Sequence, residues 1–166
     1  MANGNGKVFI FAPADETEES HRELEAAGCT LVLGDAKWSN PQGNSEDEMA
    51  KMAEGAAALT GTSIRSSPIS RKILEASPDL RIVAKYTIGV DDIDVDAATE
   101  LGILVTHAPT ESNWGGVAEG TMAIMLGLLK RLRERDEQVK SGGWRDEAHQ
   151  GTYLGRRGDG YEGITI

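Results

Sequence analysis

Cysteine is almost absent from this 166-residue sequence, and long apolar runs are missing altogether. The one cysteine, Cys29, excludes an internal disulfide framework and fits a reducing compartment such as the cytoplasm. No apolar run reaches the length of a membrane-spanning helix, and the start of the sequence lacks the pattern of a secretory signal. We therefore expect a cytoplasmic protein with no membrane partner.

Basic residues are also scarce, with 17 Lys and Arg against 27 Asp and Glu and a formal net charge of −10. A surface that tracks nucleic-acid phosphates needs the opposite charge, so we expect no nucleic-acid partner. Hydrophobic residues make up 39% and charged residues 27%, as in ordinary soluble domains. The composition therefore indicates a soluble globular domain.

Two kinds of site can be set aside. The three histidines are scattered and Cys29 has no partner at a metal-binding spacing, so we expect no metal site. A literal G-x-G-x-x-G occurs at 158–163, but it precedes a β-like run instead of following a strand and opening a helix. Asp159 and Glu162 would also repel phosphate. We expect a turn there.

Five apolar runs alternate with helical segments. Helix starts are indicated by Thr17, by Ser45 with Glu48, by Ser67 before Pro68, and by Asp94. The alternation predicts an α/β fold with a doubly wound parallel sheet, and we expect the flavodoxin-like strand arrangement. The predicted strands are 7–12, 30–33, 57–60, 81–86 and 103–108.

A different kind of helix follows the last of these strands. From Val117 to Leu129 the sequence is apolar nearly all round, which predicts burial on most sides. From Lys130 to Lys140 it is charged, so we expect one helix of more than 20 residues that leaves one domain for another. The sequence then ends in a β-like triplet, Ile164–Ile166, which suggests a domain that is only begun.

The segment after the fourth predicted strand, Tyr86–Val90, lies where doubly wound sheets bind their ligands, beyond the carboxyl ends of the strands. Gly89 would let the backbone turn and let an anionic ligand approach the amides closely. Asp94 would cap the next helix. Spacing alone favours an ordinary strand-to-helix turn with normal caps.

The order of the sequence blocks adds a resemblance. The blocks GVDDIDVDAA, GILVTHAP and N…VAE, followed by a long helix and GGW, resemble the D-isomer-specific 2-hydroxyacid dehydrogenases. The resemblance runs from about Ala57 to Trp144, and more weakly back to Lys7. It implies a flavodoxin-like substrate-binding domain at 1–110. It also implies an inter-domain long helix and the beginning of an NAD(P)-binding Rossmann domain at 111–166.

The resemblance further implies a site. The amides of Ile88 and Gly89 would bind the carboxylate of a 2-hydroxy or 2-oxo acid, and Thr87 would form the pocket floor. Asn113 would reach the substrate or, as an equal alternative, cap the long helix. Val117 and Thr121 would face the nicotinamide of NAD or NADP, with plain helix packing as the competing interpretation.

The same resemblance implies hydride transfer between nicotinamide and a small acid, but none of the catalytic residues of the family can be carried over. His21, His107 and His149 lie outside the corresponding block, and a structural role is the better interpretation of His107. We therefore expect this chain alone to be inactive. A homodimer is expected through the cofactor domain, with Trp144 as the candidate contact.

Trp114, beside the long helix, is hypothesised to favour a substrate with a bulky side chain. A non-catalytic flavodoxin-like module that binds a small carboxylate or dimerises stays open. A receiver domain is excluded because Thr60-Gly61-Thr62 has no phosphoacceptor aspartate, and a flavodoxin because the loop after the first strand is acidic. The sequence does not identify the acid that is used, and it does not distinguish NAD from NADP as the cofactor.

Overall fold

The computed structural model describes residues 6–37, 39–40, 42–62, 64 and 67–164. The chain separates into two compact units, 1–110 and 111–166. Each unit has its own internal contacts. The assignment of the first unit to substrate and the second to cofactor stays a prediction.

The first unit is built on a five-stranded sheet in which every pairing is parallel. The strand order is β2-β1-β3-β4-β5. This order is the flavodoxin-like arrangement, so the predicted fold class is confirmed. The strands are β1 (Lys7–Ala12), β2 (Thr30–Leu33), β3 (Ala56–Gly61), β4 (Ile82–Lys85) and β5 (Leu104–Thr106).

Four helices connect the strands, as the crossover rule for parallel strands requires. They are α1 (Glu19–Ala26), α2 (Glu46–Ala53), α3 (Arg71–Glu75) and α4 (Val95–Glu100). Two predicted caps are confirmed. Ser45 and Glu48 form a reciprocal capping box at α2, and the Asp94 carboxylate accepts the Ala97 N–H at 2.8 Å at α4.

The predicted cap of α1 at Thr17 is confirmed only in part. The Thr17 hydroxyl accepts the Glu19 N–H at 3.3 Å, but the residue before the helix is Glu18, and Asp15 accepts more of the nearby donors. Asp15 accepts the backbone N–H groups of Thr17 and Ser20, each at 2.9 Å, and both hydroxyls at 2.6 Å. An ionised carboxylate is a stronger acceptor than a threonine hydroxyl. Helix α1 accordingly follows Glu18, which adopts a left-handed backbone with φ of 57°.

The predicted start of a helix at Ser67 is also wrong. Ile69 forms an isolated parallel bridge with Ile93, its N–H donates to Asp92 at 2.7 Å, and its carbonyl accepts from Asp94 at 2.9 Å. This pairing holds the segment extended, so α3 begins only at Arg71. Sequence alone does not show a partner so distant along the chain.

One apolar core lies against the sheet. Phe9 and Phe11 are fully buried and their rings meet edge to face, with centroids 6.4 Å apart. Each buried large side chain contributes about 1.5–3 kcal/mol relative to exposure, so this cluster supplies the main stabilisation of the unit. The other large fully buried side chains are Ile10, Met49, Leu59, Ile69, Ile73, Leu74 and Val83.

The second unit contains α5 (Glu111–Leu129), α6 (Leu132–Lys140) and a short 3₁₀ turn at Glu147–His149. The prediction of one continuous helix is wrong, since Arg131 has a left-handed backbone with φ of 52° and separates the two helices. The returning segment explains the break. Thr152 donates its N–H to the Leu129 carbonyl at 2.8 Å, and its own carbonyl accepts from Lys130 Nζ at 2.5 Å.

The predicted burial of the apolar helix is not found in this unit. Val117, Ile124 and Leu128 are 66%, 76% and 77% exposed, and α5 has no buried residue. An apolar pattern predicts that a surface prefers to be covered, but it does not supply the covering element. None of the helices formed by the described residues is long and apolar enough to cross a bilayer.

The tail confirms one expectation and leaves another open. Residues 158–163 form turns and coil, with left-handed Gly160 and Gly163, and no helix follows within the described chain. The rejection of this stretch as a dinucleotide fingerprint therefore stands. Ile164 is not in a strand, and the rest of the predicted β-triplet, Thr165 and Ile166, lies outside the described residues.

Candidate functional site

The candidate site is the loop between β4 and α4, at the carboxyl edge of the sheet. Strand β4 lies between β3 and β5, so the loop emerges with neighbours on both sides. Tyr86 donates its N–H to the Gly61 carbonyl at 3.1 Å, which continues the pairing with β3 for one more residue. From there the chain turns through Thr87, Ile88 and Gly89, three of the predicted site residues.

The loop carbonyls are held by the segment that follows β5. Ala108 donates its N–H to the Thr87 carbonyl at 3.1 Å. His107 Nδ1 lies 2.9 Å from the Ile88 carbonyl, and since a carbonyl only accepts, Nδ1 carries the proton. Two consecutive peptide units are therefore fixed by two consecutive residues.

This arrangement determines where the loop amides point. In a planar trans peptide the C=O and N–H groups point in opposite directions, and the described chain has no cis peptide. The N–H groups of Ile88 and Gly89 therefore point away from residues 107–108. No hydrogen bond of the described residues uses either of these two donors. The structure thus brings together the two predicted carboxylate-binding amides.

Gly89 is predicted both to let the backbone turn and to let a ligand approach the amides closely. It is not among the left-handed glycines, so the turn does not need a glycine for its φ angle, and the close approach of a ligand stays a prediction. A Cβ added there would meet only Asp91 Oδ2, at 3.3 Å. The consequence of glycine at this position is that the amide is left uncovered by a side chain.

Thr87 is placed differently from its neighbours. Its Oγ1 is buried and has no hydrogen-bond partner in the part of the chain that the structure describes. An unpaired buried hydroxyl costs about 1–3 kcal/mol, so this position carries a stability penalty. The role of Thr87 as pocket floor stays a prediction.

A buried ion pair closes the loop. Lys85, the last residue of β4, has a side chain with 0% exposure and contacts the Asp92 carboxylate, which is 20% exposed. The two residues bracket the loop that carries Ile88 and Gly89. Sequence reasoning missed both; the signal was a lysine closing an otherwise apolar strand, with an aspartate following in the next loop.

The other predicted site residues lie on α5, in the second unit. Asn113 is exposed and is the third residue of α5, inside the helix, so the alternative that it caps this helix is wrong. Val117 is exposed, and its carbonyl accepts the Thr121 hydroxyl at 2.8 Å. These three residues share one helix. That Asn113 reaches the substrate and that Val117 and Thr121 face the nicotinamide stay predictions.

The other two histidines lie on α1 and at the 3₁₀ turn. His21 is buried on α1, and His149 lies 3.5 Å from Asp146 at the 3₁₀ turn. Among the described residues no group of three histidine, cysteine or acidic side chains could hold a metal ion. His107 is the histidine that touches the candidate loop, and sequence reasoning did not foresee that contact.

The pattern of the D-isomer specific 2-hydroxyacid dehydrogenase catalytic domain matches residues 8–152. The chain belongs to this family. It is similar to the D-3-phosphoglycerate dehydrogenase of Mycobacterium bovis, with 32% identity over 132 residues, or 78% of this chain and 24% of that protein. It is also similar to the glyoxylate reductase of Korarchaeum cryptofilum, with 38% identity over 96 residues, or 56% of this chain and 28% of that protein.

Solved structures are also similar to this chain. A protein of Thermus thermophilus superposes with a TM-score of 0.67 at 26% identity over 89% of this chain and 45% of that one. A D-lactate dehydrogenase of Aquifex aeolicus, complexed with NAD and lactic acid, gives 0.66 at 25% identity over 89% and 41%. The chain therefore spans less than half the length of each relative named here.

Proposed function

We propose that this chain forms the substrate-carboxylate site of an NAD(P)-dependent D-2-hydroxyacid dehydrogenase. The observation that carries the proposal is the pair of unused amides at Ile88 and Gly89 in the described chain. These N–H groups are adjacent, and the carbonyl of each of the two peptide units is already hydrogen-bonded. They can donate to the oxygens of a carboxylate with little reorganisation. Membership of the family supports a small 2-hydroxy or 2-oxo acid as the ligand.

In the proposed reaction, the nicotinamide cofactor and the loop of this chain have different roles. The nicotinamide, when bound, gives or accepts the hydride. The loop of this chain holds the acid by its carboxylate and so fixes the orientation of the neighbouring carbonyl carbon, which is a contribution of position. We assign no proton transfer to His21, His107 or His149. We therefore expect the chain by itself to bind the acid without oxidising or reducing it.

We further propose that residues of α5 contact the cofactor and the substrate. The exposed side chain of Val117 gives an apolar surface that suits a nicotinamide ring. Thr121 has its hydroxyl bound to the helix backbone, so it would contribute its methyl group instead of a hydrogen bond. Asn113 is exposed and keeps an amide for the substrate side. In this proposal 1–110 binds substrate and 111–166 begins the part that binds NAD or NADP.

A homodimer and a cytoplasmic location belong to the same proposal. Trp144 is 77% exposed and α5 presents several uncovered apolar side chains, which supports a pairing surface in the second unit. Cys29 is a free cysteine, in keeping with a reducing compartment. Light scattering of the wild type and of Trp144→Ala would test the dimer, with loss of the dimer in the variant as the expected result.

The carboxylate site is tested by calorimetric titration of the chain with glyoxylate and, as a matched probe, with methyl glyoxylate. The ester keeps the carbonyl of the acid and nearly its size but lacks the charged carboxylate. We expect binding of the acid and at least about tenfold weaker binding of the ester, because hydrogen bonds to a charged group contribute more. Equal binding of the two, or none of the acid, would contradict the proposal.

A further inference from the structure

We infer that His107 is the positioning residue of the carboxylate site and that its Nδ1–H locks the Ile88–Gly89 peptide in the orientation that presents the Gly89 amide. The inference rests on the proposed function and deepens it. It starts from one contact, the 2.9 Å separation between His107 Nδ1 and the Ile88 carbonyl. The side chain acts through the peptide and touches neither substrate nor cofactor.

The Ile88–Gly89 peptide is the unit of the loop that needs such a lock. A peptide unit flips by rotating the bonds on either side of it, and a glycine after the unit removes most of the steric resistance. At Gly89 an added Cβ would meet only one atom within 4 Å, an Asp91 carboxylate oxygen at 3.3 Å. If the unit flipped, the Ile88 carbonyl would point at the ligand and would repel a carboxylate.

Neighbouring parts of the loop are held without His107. The Thr87 carbonyl accepts from Ala108 at 3.1 Å, Tyr86 donates to Gly61 at 3.1 Å, and Ile93 donates to Val90 at 2.9 Å. These bonds join backbone atoms and survive any change of side chain at 107. Substitution of His107 should therefore reorient one peptide and leave the sheet intact.

The chemistry of the side chain gives a matched set of variants. In asparagine, as in histidine Nδ1, the donor nitrogen is bonded directly to Cγ, so His107→Asn keeps a donor in nearly the same place. His107→Gln moves the donor one bond further out, toward the position of Nε2, and His107→Phe keeps a ring without a donor. His149→Phe, in the second unit, serves as the control for loss of a histidine elsewhere.

The test combines binding of glyoxylate with the ligand-free ¹H–¹⁵N spectrum of each protein. We expect His107→Phe and His107→Gln to bind about tenfold more weakly, since each loses one positioning hydrogen bond. We expect His107→Asn and His149→Phe to stay within about twofold of the wild type. In the absence of ligand, the Gly89 amide resonance should move in the Phe and Gln variants and stay in place in the Asn variant. Equal binding by the Phe variant and the wild type would overturn the inference.

Two further outcomes keep this test separate from that of the proposed function. If the wild type does not bind glyoxylate, the proposed function fails, and the ligand-free spectrum decides the inference. An unmoved Gly89 amide in His107→Phe overturns it, and a moved one supports it. If that variant does not fold, the neutral tautomer of His107 in the wild type is determined from its ring nitrogen shifts. A proton on Nδ1 supports the lock, and a proton on Nε2 overturns it.

Discussion

Lys85 and Asp92 form a buried ion pair across the base of the loop that carries Ile88 and Gly89. The lysine side chain is fully buried and ends an interior strand of the sheet, while the aspartate lies where the loop turns toward α4. The pair therefore ties the start of the loop to its end. Sequence reasoning gave neither residue a role, yet the pair holds the element on which the proposed function depends.

Loss of one partner of this pair should be costly. Lys85→Met leaves the Asp92 carboxylate without its cation in a partly buried place, and we expect the free energy of unfolding to fall by about 3 kcal/mol. The double variant Lys85→Met with Asp92→Leu removes both charges and should recover most of that loss. Urea unfolding of the wild type, the two single variants and the double variant checks this. Additive losses in the double variant would show that the two charges do not stabilise each other.

Gly89 offers a substitution that removes the proposed donor. Gly89→Pro has no backbone N–H, so we expect glyoxylate to bind about tenfold more weakly. Gly89→Ala keeps the N–H and brings its Cβ only against the end of the Asp91 side chain, at 3.3 Å. The alanine variant should bind within a few fold of the wild type. Titration calorimetry measures both, and equal affinity of the two variants would argue against the Gly89 amide as a ligand.

The Asp15 carboxylate should make stability depend on pH. Hydrogen bonds from the Ser20 hydroxyl, and then from Thr17, hold the pKa of Asp15 below its ordinary value of 3.8. Since the folded pKa is lowered, the stabilisation is present above about pH 4 and is lost as the pH falls toward the folded pKa. The difference in unfolding free energy between wild type and Asp15→Asn should therefore be constant from about pH 7 to 5. It should be smaller at about pH 3.

The control for this prediction is Asp79→Asn, which changes an exposed carboxylate in the turn before β4. The change of stability with pH in this variant is the reference with which the change in Asp15→Asn is compared. Denaturant unfolding at these pH values gives all the differences needed. A difference for Asp15→Asn that stayed the same at every pH would mean that the hydrogen bonds do not stabilise the carboxylate.

The break between α5 and α6 should be sensitive to one methyl group. A Cβ on Gly151 would lie 2.7 Å from the Lys130 Cα and 2.9 Å from its carbonyl oxygen, both backbone atoms that cannot move aside cheaply. We expect Gly151→Ala to destabilise the second unit by about 1–3 kcal/mol. Gly120→Ala, inside α5 with nothing within 4 Å, should stabilise the helix by about 0.5–1 kcal/mol. Circular dichroism during thermal unfolding compares the two, and destabilisation of equal size would contradict the packing at the break.

Much of the first unit could be predicted from sequence because its signals are local. The bounds of β1 and β2 follow from two short apolar runs, and the Ser45–Glu48 box and Asp94 cap follow from the chemistry of helix starts. The alternation of strands and helices predicts parallel pairing; the strand order does not follow from the sequence, and the flavodoxin-like order is expected as the natural arrangement for such an alternation. The two caps are formed by residues close in the chain, whereas the strand pairing joins residues far apart, such as Val8 and Ala58.

The wrong predictions concern helix starts and ends that are determined by a segment distant in the sequence. Ile69 is held extended by its pairing around Ile93, so α3 starts later than Ser67. The end of α5 is fixed by Thr152, which returns from beyond α6. At the site, sequence and resemblance indicated the Ile88 and Gly89 amides, while the contact of His107 with the Ile88 carbonyl needed the fold. A hydrogen bond between two residues that are 19 positions apart produces no periodic pattern in the sequence.

The most direct test of the central claim is the ¹H–¹⁵N spectrum of the chain during titration with glyoxylate. We expect the amide resonances of Ile88 and Gly89 to shift together and saturate, because both N–H groups donate to the carboxylate. Methyl glyoxylate, without the charge, should move them far less. Saturable shifts elsewhere in the spectrum, with these two amides unmoved, would show that the loop after β4 is not the carboxylate site.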